Sequence, residues 1–455
     1  MTTPTSDVAL AVIGAGPAGL AAALAAAEAG VRVALIDAAA EPGGQFYRQS
    51  APRLGARRPQ ALHHAWRTWR RLRARLDAQV ADGRISYLRD RQVWLVEPGF
   101  TVHTLLGRTQ GGSAAVRADA VLLATGGYEQ VLPFPGWTLP GVVTAGGAQA
   151  MLKGGLVLPG RTAVVAGTGP LLMPVAAGLA AAGARVAALV EAAGPRGFVR
   201  QAPTLLAHPG KLAEGATYAA RLARHRVPVR WRRAVVAAHG TDRLEAVSVA
   251  GPGGVERRIA CDTLAVGHGM LPHTDLAEAL GARVLASGVL VDAEQRTTVA
   301  GLWAAGEATG IGGSGLALAE GEIAGRSIAA RLGGAEPDPA DWTAAARART
   351  RLRRFAAALD TVYVPQPGWV ERVSDDTVLC RCEEVPASAV REAVAGLGAT
   401  DLRTVKLLTR AGMGWCQGRI CAPGVAGVAG CPTGASRRPF ARPVPLGVLA
   451  DGDSP

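Results

Sequence analysis

The chain has 455 residues, a net charge of +13 and an apolar fraction of 49%. A single hydrophobic core stops growing at roughly 250–300 residues, so this length predicts two or three domains and excludes a single small module. Only three of the 49 cationic residues are lysines, and the arginines are dispersed, which is typical of a GC-rich genome. No nucleic-acid-binding motif accompanies the charge, so we expect no nucleic-acid partner.

The densest run of arginines, Arg53–Arg75, lies partly on a predicted helix around Leu62–Val80 that also carries Trp66 and Trp69. Two interpretations are open at this point. The helix either faces a partner subunit or presents an ordinary solvated surface.

Met1–Asp7 have no basic region and lead directly into an apolar strand, a pattern that predicts no signal peptide. No unbroken apolar run reaches the roughly 18 residues that a membrane-spanning helix needs. We therefore expect a cytoplasmic protein, with peripheral attachment to the inner face of a membrane as the alternative. Five of the six cysteines lie at or after Cys380, which favours metal binding over a disulfide framework in that compartment.

A nucleotide-binding βαβ unit is predicted at the N-terminus. The apolar strand Val8–Ile13 precedes a helix that runs to about Ala29, and a second strand, Val31–Ile36, ends at Asp37. The connecting motif is Gly14, Ala15, Gly16, Pro17, Ala18 and Gly19. Its three glycines permit a tight turn, close approach of a pyrophosphate and close helix packing, while the helix N-terminus favours phosphate and Asp37 suits a ribose diol.

Later segments indicate that the dinucleotide bound at this unit is FAD. They are Gly44 and Gln45, Thr125 and Gly126 after a strand Val121–Ala124, and Gly306 and Glu307 after a strand beginning near Thr298. At these residues the chain resembles the two-dinucleotide flavoproteins, the glutathione reductase-like and thioredoxin reductase-like enzymes. The resemblance implies that Glu307 binds the ribityl chain of FAD and that the backbone at Val93 meets the adenine.

A second βαβ unit is predicted from Arg161–Ala166, through a helix to Ala182, to the strand Arg185–Val190. Gly167, Gly169 and Glu191 repeat the first motif, but Leu172 stands where the third glycine belongs, which should push the helix off the strand. Glu191 suits a free ribose hydroxyl and repels a 2′-phosphate. NAD, another adenine nucleotide and a purely structural site remain open.

Disulfide reductases of this family need a redox-active cysteine pair beside the flavin. Residues 41–55 and Ala145–Ala150 contain no cysteine, and Cys261 lies in an apolar stretch that predicts a buried strand. The chain therefore lacks a dithiol beside the flavin, which argues against a disulfide reductase.

The last cysteines form the pattern CxC…CxxxxC, with Cys380, Cys382, Cys416 and Cys421 as predicted metal ligands. Four thiolates in two local pairs fit an iron–sulfur cluster, and structural zinc remains open. The segment resembles the bacterioferritin-associated-ferredoxin-like [2Fe-2S] domain. We predict that Cys431 is a buried thiol outside the site.

These patterns predict an α/β fold with two Rossmann-like domains and a small, mostly helical C-terminal domain. The predicted parts are an FAD domain (1–152), its return (281–335), a degenerate nucleotide domain between them (153–280), a linker and helix (336–375), the [2Fe-2S] domain (376–435) and a tail (436–455).

Over about residues 5–435 the order of these parts resembles the alpha subunits of heteromeric dye-linked amino-acid and opine dehydrogenases. The resemblance implies a second flavoprotein subunit of the amine-oxidase-like fold that oxidises the C–N bond, while this chain relays electrons to a quinone or dye. Further implied candidates are an FMN at the interface between subunits and a small third subunit. No catalytic acid–base pair stands out here. Two other hypotheses remain: a self-sufficient NAD(P)H-dependent reductase and a non-catalytic scaffold.

Overall fold

The computed structural model describes residues 3–254, 256–364, 368–434 and 438–452. In chain order the strands are β1 (Thr3–Ile13), β2 (Val33–Ile36), β3 (Ile85–Leu88), β4 (Arg91–Val96), β5 (Thr101–Leu106), β6 (Ser113–Leu123), β7 (Gly127–Glu129), β8 (Val142–Thr144), β9 (Thr162–Gly167), β10 (Arg185–Glu191), β11 (Val229–Trp231), β12 (Ala234–His239), β13 (Ala246–Ala250), β14 (Glu256–Ala260), β15 (Thr263–Gly267), β16 (Met270–Pro272), β17 (Val284–Leu285), β18 (Gly288–Val289), β19 (Leu302–Ala304), β20 (Val378–Cys380) and β21 (Val385–Pro386).

The helices are α1 (Pro17–Glu28), α2 (Trp66–Ala81), α3 (Ala145–Gly155), α4 (Leu172–Ala181), α5 (Pro195–Arg200), α6 (Ala202–Leu206), α7 (Pro209–Arg224), α8 (Asp275–Ala279), α9 (Ser314–Leu332), α10 (Thr343–Val362), α11 (Ala387–Ala395), α12 (Leu402–Thr409), α13 (Ala422–Ala429) and α14 (Leu446–Gly452).

The chain divides into two compact units, the first of which holds the described residues of Met1–Tyr128, Leu271–Ala356 and Ala435–Pro455. Its sheet has the order β3-β2-β1-β6-β5-β4, with β19 also paired to β6. β1, β2, β6 and β19 run parallel, as βαβ crossovers require. The predicted α/β class and the first βαβ unit are confirmed.

Helices α1 and α9 cover one face of this sheet in close backbone contact. A Cβ on Gly321 would lie 2.1 Å from the carbonyl oxygen of Ala18, and one on Gly325 would lie 2.4 Å from that of Ala22. Small residues on both helices allow this approach, which places α9 directly beside the first motif.

The interpretation of α2 as a partner-facing helix is not supported by its tryptophans. Trp69 is 4% exposed and stacks on Tyr47, and Trp66 packs against the same core. The arginines lie on the other side, where Arg73 pairs with Glu41 and Arg75 with Glu28. The helix therefore has an ordinary amphipathic arrangement, and it begins at Trp66, later than predicted.

The second unit holds the described residues of Glu129–Met270 and Ala357–Gly434. Its parallel sheet has the order β11-β10-β9-β15-β8, beside an antiparallel sheet of β12, β13 and β14. The C-terminal part contributes the β20–β21 hairpin and helices α11, α12 and α13. This C-terminal part contacts the rest of the second unit through a hydrogen bond, 2.6 Å long, from Trp137 Nε1 to the carbonyl oxygen of Val378. The sequence-based domain bounds stay predictions.

Candidate functional site

The register of the parallel strands places several predicted FAD residues at one edge of the sheet in the first unit. Ile13 pairs with both Ile36 and Leu123, and Leu123 also pairs with Ala304. The residues that follow these strand ends therefore lie at one carboxyl edge. They are Gly14, Asp37, Thr125 and Gly306. In open α/β sheets this edge is where ligands bind.

The three motif glycines have different roles in the folded chain. Gly14 has φ +109°, and a Cβ there would lie 2.3 Å from the carbonyl oxygen of Ala124. A Cβ on Gly19 would lie 1.8 Å from the carbonyl oxygen of Gly14, so both positions are needed for the turn itself. Gly16 has ordinary backbone angles and an open side, which leaves the start of α1 accessible to a phosphate.

Asp37 closes this turn from the end of β2. Its carboxylate accepts hydrogen bonds from the backbone N–H groups of Ala15 and Ala39. Burial raises the pKa of Asp37, and these two hydrogen bonds oppose that effect. The Asp37 carboxylate is thus held at the predicted ribose position, although its two backbone contacts already use part of its capacity to accept hydrogen bonds.

The Gly43–Gln45 segment lies against the motif. The N–H of Gly43 donates to the carbonyl oxygen of Ala15 over 2.8 Å, and a Cβ on Gly44 would lie 2.8 Å from Cα of Gly16. Gln45 is held by Arg48, whose Nη2 is 2.7 Å from Oε1 of the amide. Because position 44 is glycine, no side chain fills the space next to Gly16, although the two backbones lie close together.

Two further segments flank the same edge. The hydroxyl of Thr125 donates to the carbonyl oxygen of His273 over 2.7 Å, while Gly126 has φ +74° and open space on its Cβ side. Glu307 is half-buried, and burial raises the pKa of its carboxyl while the N–H of Gly313 opposes this. Val93 is buried in β4, so only its backbone is available to a ligand.

These residues fit FAD by their shape. Gly126 and Gly313 have no neighbour within 4 Å of a Cβ position, and Gly16 has one contact at 3.9 Å. Such open glycines along one sheet edge form a cradle in which a dinucleotide can contact backbone N–H groups.

The second motif repeats the carboxylate geometry of the first. Glu191 accepts from the N–H groups of Gly169 and Ala193, as Asp37 does from Ala15 and Ala39. Glu191 is only 4% exposed, however, and α4 begins at Leu172, two positions later in the motif than α1 begins in its own. The predicted displacement of the helix by Leu172 stays a prediction. The structure shows instead that α4 lacks the first two helical positions of α1, which removes N–H groups from the phosphate position.

Burial raises the pKa of Glu191 to about 7, against the opposing hydrogen bonds. A carboxyl whose pKa is raised on folding stabilises the native state at low pH, and this contribution is lost as pH rises from the ordinary value of 4.5 to about 7. We expect Glu191→Gln to flatten the loss of thermal stability between roughly pH 4.5 and 7, by an amount on the order of 2 kcal/mol. Glu256→Gln, at an exposed position of the same unit, is the control. An unchanged pH slope in Glu191→Gln would contradict this assignment.

The start of α3 carries a carboxylate and no thiol. Glu129 Oε1 accepts from the N–H of Gly146 over 2.7 Å, and the hydroxyl of Thr144 accepts from Gly147. Cys261 is 4% exposed in the sheet core, where burial raises the pKa of its thiol to about 12. The predicted burial of Cys261 is confirmed, but the residue lies between β14 and β15 and not within a strand.

The four predicted metal ligands come together in the C-terminal part. Sγ atoms of Cys382 and Cys416 are 3.9 Å apart, Cys416 contacts Cys421, and Cys421 contacts Cys380. The N–H of Gly412 lies 3.5 Å from Sγ of Cys380. The contact with Cys421 is the first cause that lowers the pKa of Cys416, to about 5.

This donor set fits an iron–sulfur group. Four thiols in two local pairs, with a backbone N–H beside one sulfur, match the ligand chemistry of a two-iron cluster. Cys380 and Cys421 are buried while Cys382 is exposed, and the neighbouring Trp415 is 69% exposed. Cys431 is half-exposed after α13, so the prediction of a fully buried thiol is wrong.

Comparison with known proteins shows the family. The model of the pyridine nucleotide-disulphide oxidoreductases matches residues 8–345. The chain belongs to this oxidoreductase family. A second model, the BFD-like [2Fe-2S] binding domain, matches residues 378–428 and includes all four clustered cysteines. The two models imply FAD and a [2Fe-2S] cluster, as predicted, whereas FMN and NAD stay predictions.

Similar proteins carry the same two parts along most of their length. An opine oxidase subunit from Agrobacterium tumefaciens (strain Ach5) is 35% identical over 91% of this chain and 84% of its own. Hydrogen cyanide synthase subunit HcnB of Pseudomonas protegens (strain DSM 19095 / LMG 27888 / CFBP 6595 / CHA0) is 35% identical over 90% and 89%. Membership in this group, predicted from the order of motifs, is confirmed.

Solved structures confirm the fold alone. L-proline dehydrogenase from P. horikoshii superposes with a TM-score of 0.66 at 21% identity, covering 98% of this chain and 80% of that one. Thioredoxin reductase from T. acidophilum gives a TM-score of 0.52 at 19% identity, covering 71% of this chain and 98% of that one.

Sequence reasoning missed several residues around the sites, above all Glu320, Arg353 and Glu129. Glu320 is 1% exposed on α9 and contacts the Gly306 segment. Its signal in the sequence is an acid on the apolar stripe of a helix, three and four positions after Ala317 and Leu316.

Proposed function

We propose that this chain is the electron-transfer subunit of a heteromeric amino-acid or opine dehydrogenase. A partner flavoprotein subunit of the amine-oxidase-like fold oxidises the C–N bond, and this chain passes the electrons on to a quinone or another acceptor. The names of its relatives support an assembly, because opine oxidase, hydrogen cyanide synthase and sarcosine oxidase are each represented by one of their subunits.

The observation that carries the proposal is the pairing of two cofactor sites on one chain, with no cysteine in residues 41–55 or Ala145–Ala150 for disulfide chemistry beside the flavin. Gly14, Gly16 and Asp37 form the dinucleotide turn, and Cys416 belongs to the four-thiol cluster. FAD exchanges electrons in pairs and a [2Fe-2S] cluster exchanges them singly, so the two together link a two-electron donor to a one-electron acceptor.

The chain's own residues fit this relay role. Cys382 and Trp415 are exposed, so the thiol cluster has one side at the protein surface where an acceptor can approach. Cys380 and Cys421 are buried in the core of the C-terminal part, which fixes the other side. A cytoplasmic location, at the inner face of a membrane for a quinone acceptor, completes the proposal, together with an interfacial FMN and a small third subunit. Among the described helices, none is both long and apolar enough to cross a membrane.

Purification of the native complex tests the assembly directly. Mass spectrometry of the co-purified chains should identify a second flavoprotein, and analysis of the released cofactors should give FAD with or without FMN. A chain that purifies alone and oxidises an amine by itself would contradict the proposal.

A self-sufficient NAD(P)H-dependent reductase is the second candidate, favoured by the Glu191 geometry that repeats that of Asp37. The late start of α4 and the burial of Glu191 count against it. We expect that NADH mixed anaerobically with the pure chain leaves the flavin's visible absorbance unchanged over many seconds. Rapid bleaching without a partner subunit would support the reductase instead.

A further inference from the structure

An ion pair with a buried carboxylate and a partly exposed arginine lies behind the Gly306–Gly313 segment in the first unit. Glu320 of α9 is 1% exposed, and its Oε1 is 2.6 Å from Nη2 and 2.9 Å from Nε of Arg353 on α10. The other oxygen, Oε2, accepts from the N–H of Gly306 over 2.9 Å. One carboxylate thus joins two helices and the segment that carries Glu307.

Thr309 completes the network. Its hydroxyl donates to the carbonyl oxygen of Gly306 over 2.9 Å, lies 3.1 Å from Oε2 of Glu320 and accepts from Nη2 of Arg353 over 2.7 Å. Arg353 also passes close to the backbone, since a Cβ on Gly310 would lie 2.4 Å from its Nη1. Both ends of the Gly306–Gly310 turn are therefore attached to the ion pair.

The turn is held against the first glycine motif on its other side. Gly306 has φ +77°, and a Cβ there would lie 2.8 Å from Cβ of Ala18 on α1. Because position 306 is glycine, the turn can lie this close to α1, and a shift of the turn away from α1 would break the bonds to Glu320. The position of Glu307 relative to α1 is therefore set by the ion pair.

From these contacts we infer that Glu320 and Arg353 are positioning residues for FAD, which act by holding Gly306, Glu307 and Thr309 in place. Both oxygens of Glu320 are engaged and buried, so its effect on FAD passes through this turn. Arg353 lies beyond residues 8–345 that match the oxidoreductase family model. The inference concerns the affinity for FAD and does not depend on the proposed partner subunit.

The test uses the full-length chain stripped of FAD and titrated with FAD, with quenching of flavin fluorescence as the readout. Arg353→Ala leaves the Glu320 carboxylate buried and unpaired, and we expect the Kd for FAD to rise about 100-fold. Glu320→Gln combined with Arg353→Ala removes that charge and keeps an oxygen for Gly306. We expect the double variant to bind FAD within about 10-fold of the unmodified chain.

The double variant distinguishes an effect of charge balance from a general loss of packing. It carries one more substitution than Arg353→Ala, so a packing defect would not be repaired in it, yet we expect it to bind FAD more tightly. Arg354→Ala, at the next and exposed position of α10, is the matched control and should bind FAD normally. Unchanged affinity in Arg353→Ala, or a double variant weaker than Arg353→Ala, would overturn the inference. If circular dichroism shows that Arg353→Ala is unfolded, Arg353→Lys decides, since a weaker bond to Thr309 should still raise the Kd several-fold.

Discussion

Cys416→Ser should abolish the visible absorbance of the iron–sulfur cluster and lower electron transfer from the assembled dehydrogenase to a one-electron acceptor by about 100-fold or more. Sγ of Cys416 lies between those of Cys382 and Cys421, so this position is central to the four-thiol contact. Serine offers a hard, protonated oxygen in place of a thiolate, which is a poor ligand for a cluster held by cysteines. Iron content and the absorbance spectrum give the first readout.

Cys431→Ser is the matched control for this experiment. Cys431 is half-exposed beyond the end of α13 and should tolerate serine with cluster and transfer rate retained. The FAD content should be unchanged in both variants, since the first unit does not contain these cysteines. Full electron transfer by an intact complex with Cys416→Ser would instead support the scaffold hypothesis, in which the cofactors serve only folding.

Gly16→Ala should lower the affinity for FAD by about 100-fold, or roughly 2.7 kcal/mol, while the chain keeps its fold. Gly16 has φ −74°, which alanine adopts readily, and its Cβ would lie 3.9 Å from Cα of Gly44, an ordinary contact. The new methyl group therefore costs little in the chain itself. It occupies the space at the start of α1 through which a pyrophosphate reaches the backbone N–H groups.

Two further alanine variants serve as controls for Gly16→Ala, one expected to be neutral for FAD binding and one expected to disturb the fold. Gly215→Ala, on α7 with open space around its Cβ, should leave FAD binding unchanged and raise the thermal unfolding temperature slightly, because alanine favours a helix interior. Gly19→Ala places a Cβ 1.8 Å from the carbonyl oxygen of Gly14, so it should lower the unfolding temperature as well as the affinity for FAD. A Gly16→Ala chain that purifies with its full share of FAD would show that the pyrophosphate does not approach at this glycine.

Local sequence was sufficient wherever a short segment contains its own physical reason. The Gly14–Gly19 motif needs a strand before it and a helix after it, and both are present. The CxC and CxxxxC pairs likewise carry their chemistry in their spacing, and the four thiols meet as predicted. Leu172 marked the departure of the second motif, and α4 begins at that residue.

Contacts between residues far apart in the chain could not be predicted from local sequence patterns. Arg53–Arg75 left two interpretations. The burial of Trp69 against Tyr47 assigns the tryptophan to the core, and a partner on the arginine face stays a prediction. Glu191 was predicted as a ribose ligand, but its burial depends on residues far along the chain. Gly430 and Pro432 mark the end of α13 in the sequence, but the exposure of Cys431 depends on what packs beside that end.

By itself the sequence determined the two βαβ units, the thiol cluster and the family, because glycine turns, strand-end acids and cysteine spacing are local requirements. Only the tertiary structure showed that Glu320 and Arg353 meet behind Gly306. An acid on α9 and an arginine 33 positions later have no local pattern in common. Burial of the Glu320 carboxylate makes the loss of Arg353 costly, and burial is a property of the folded chain alone.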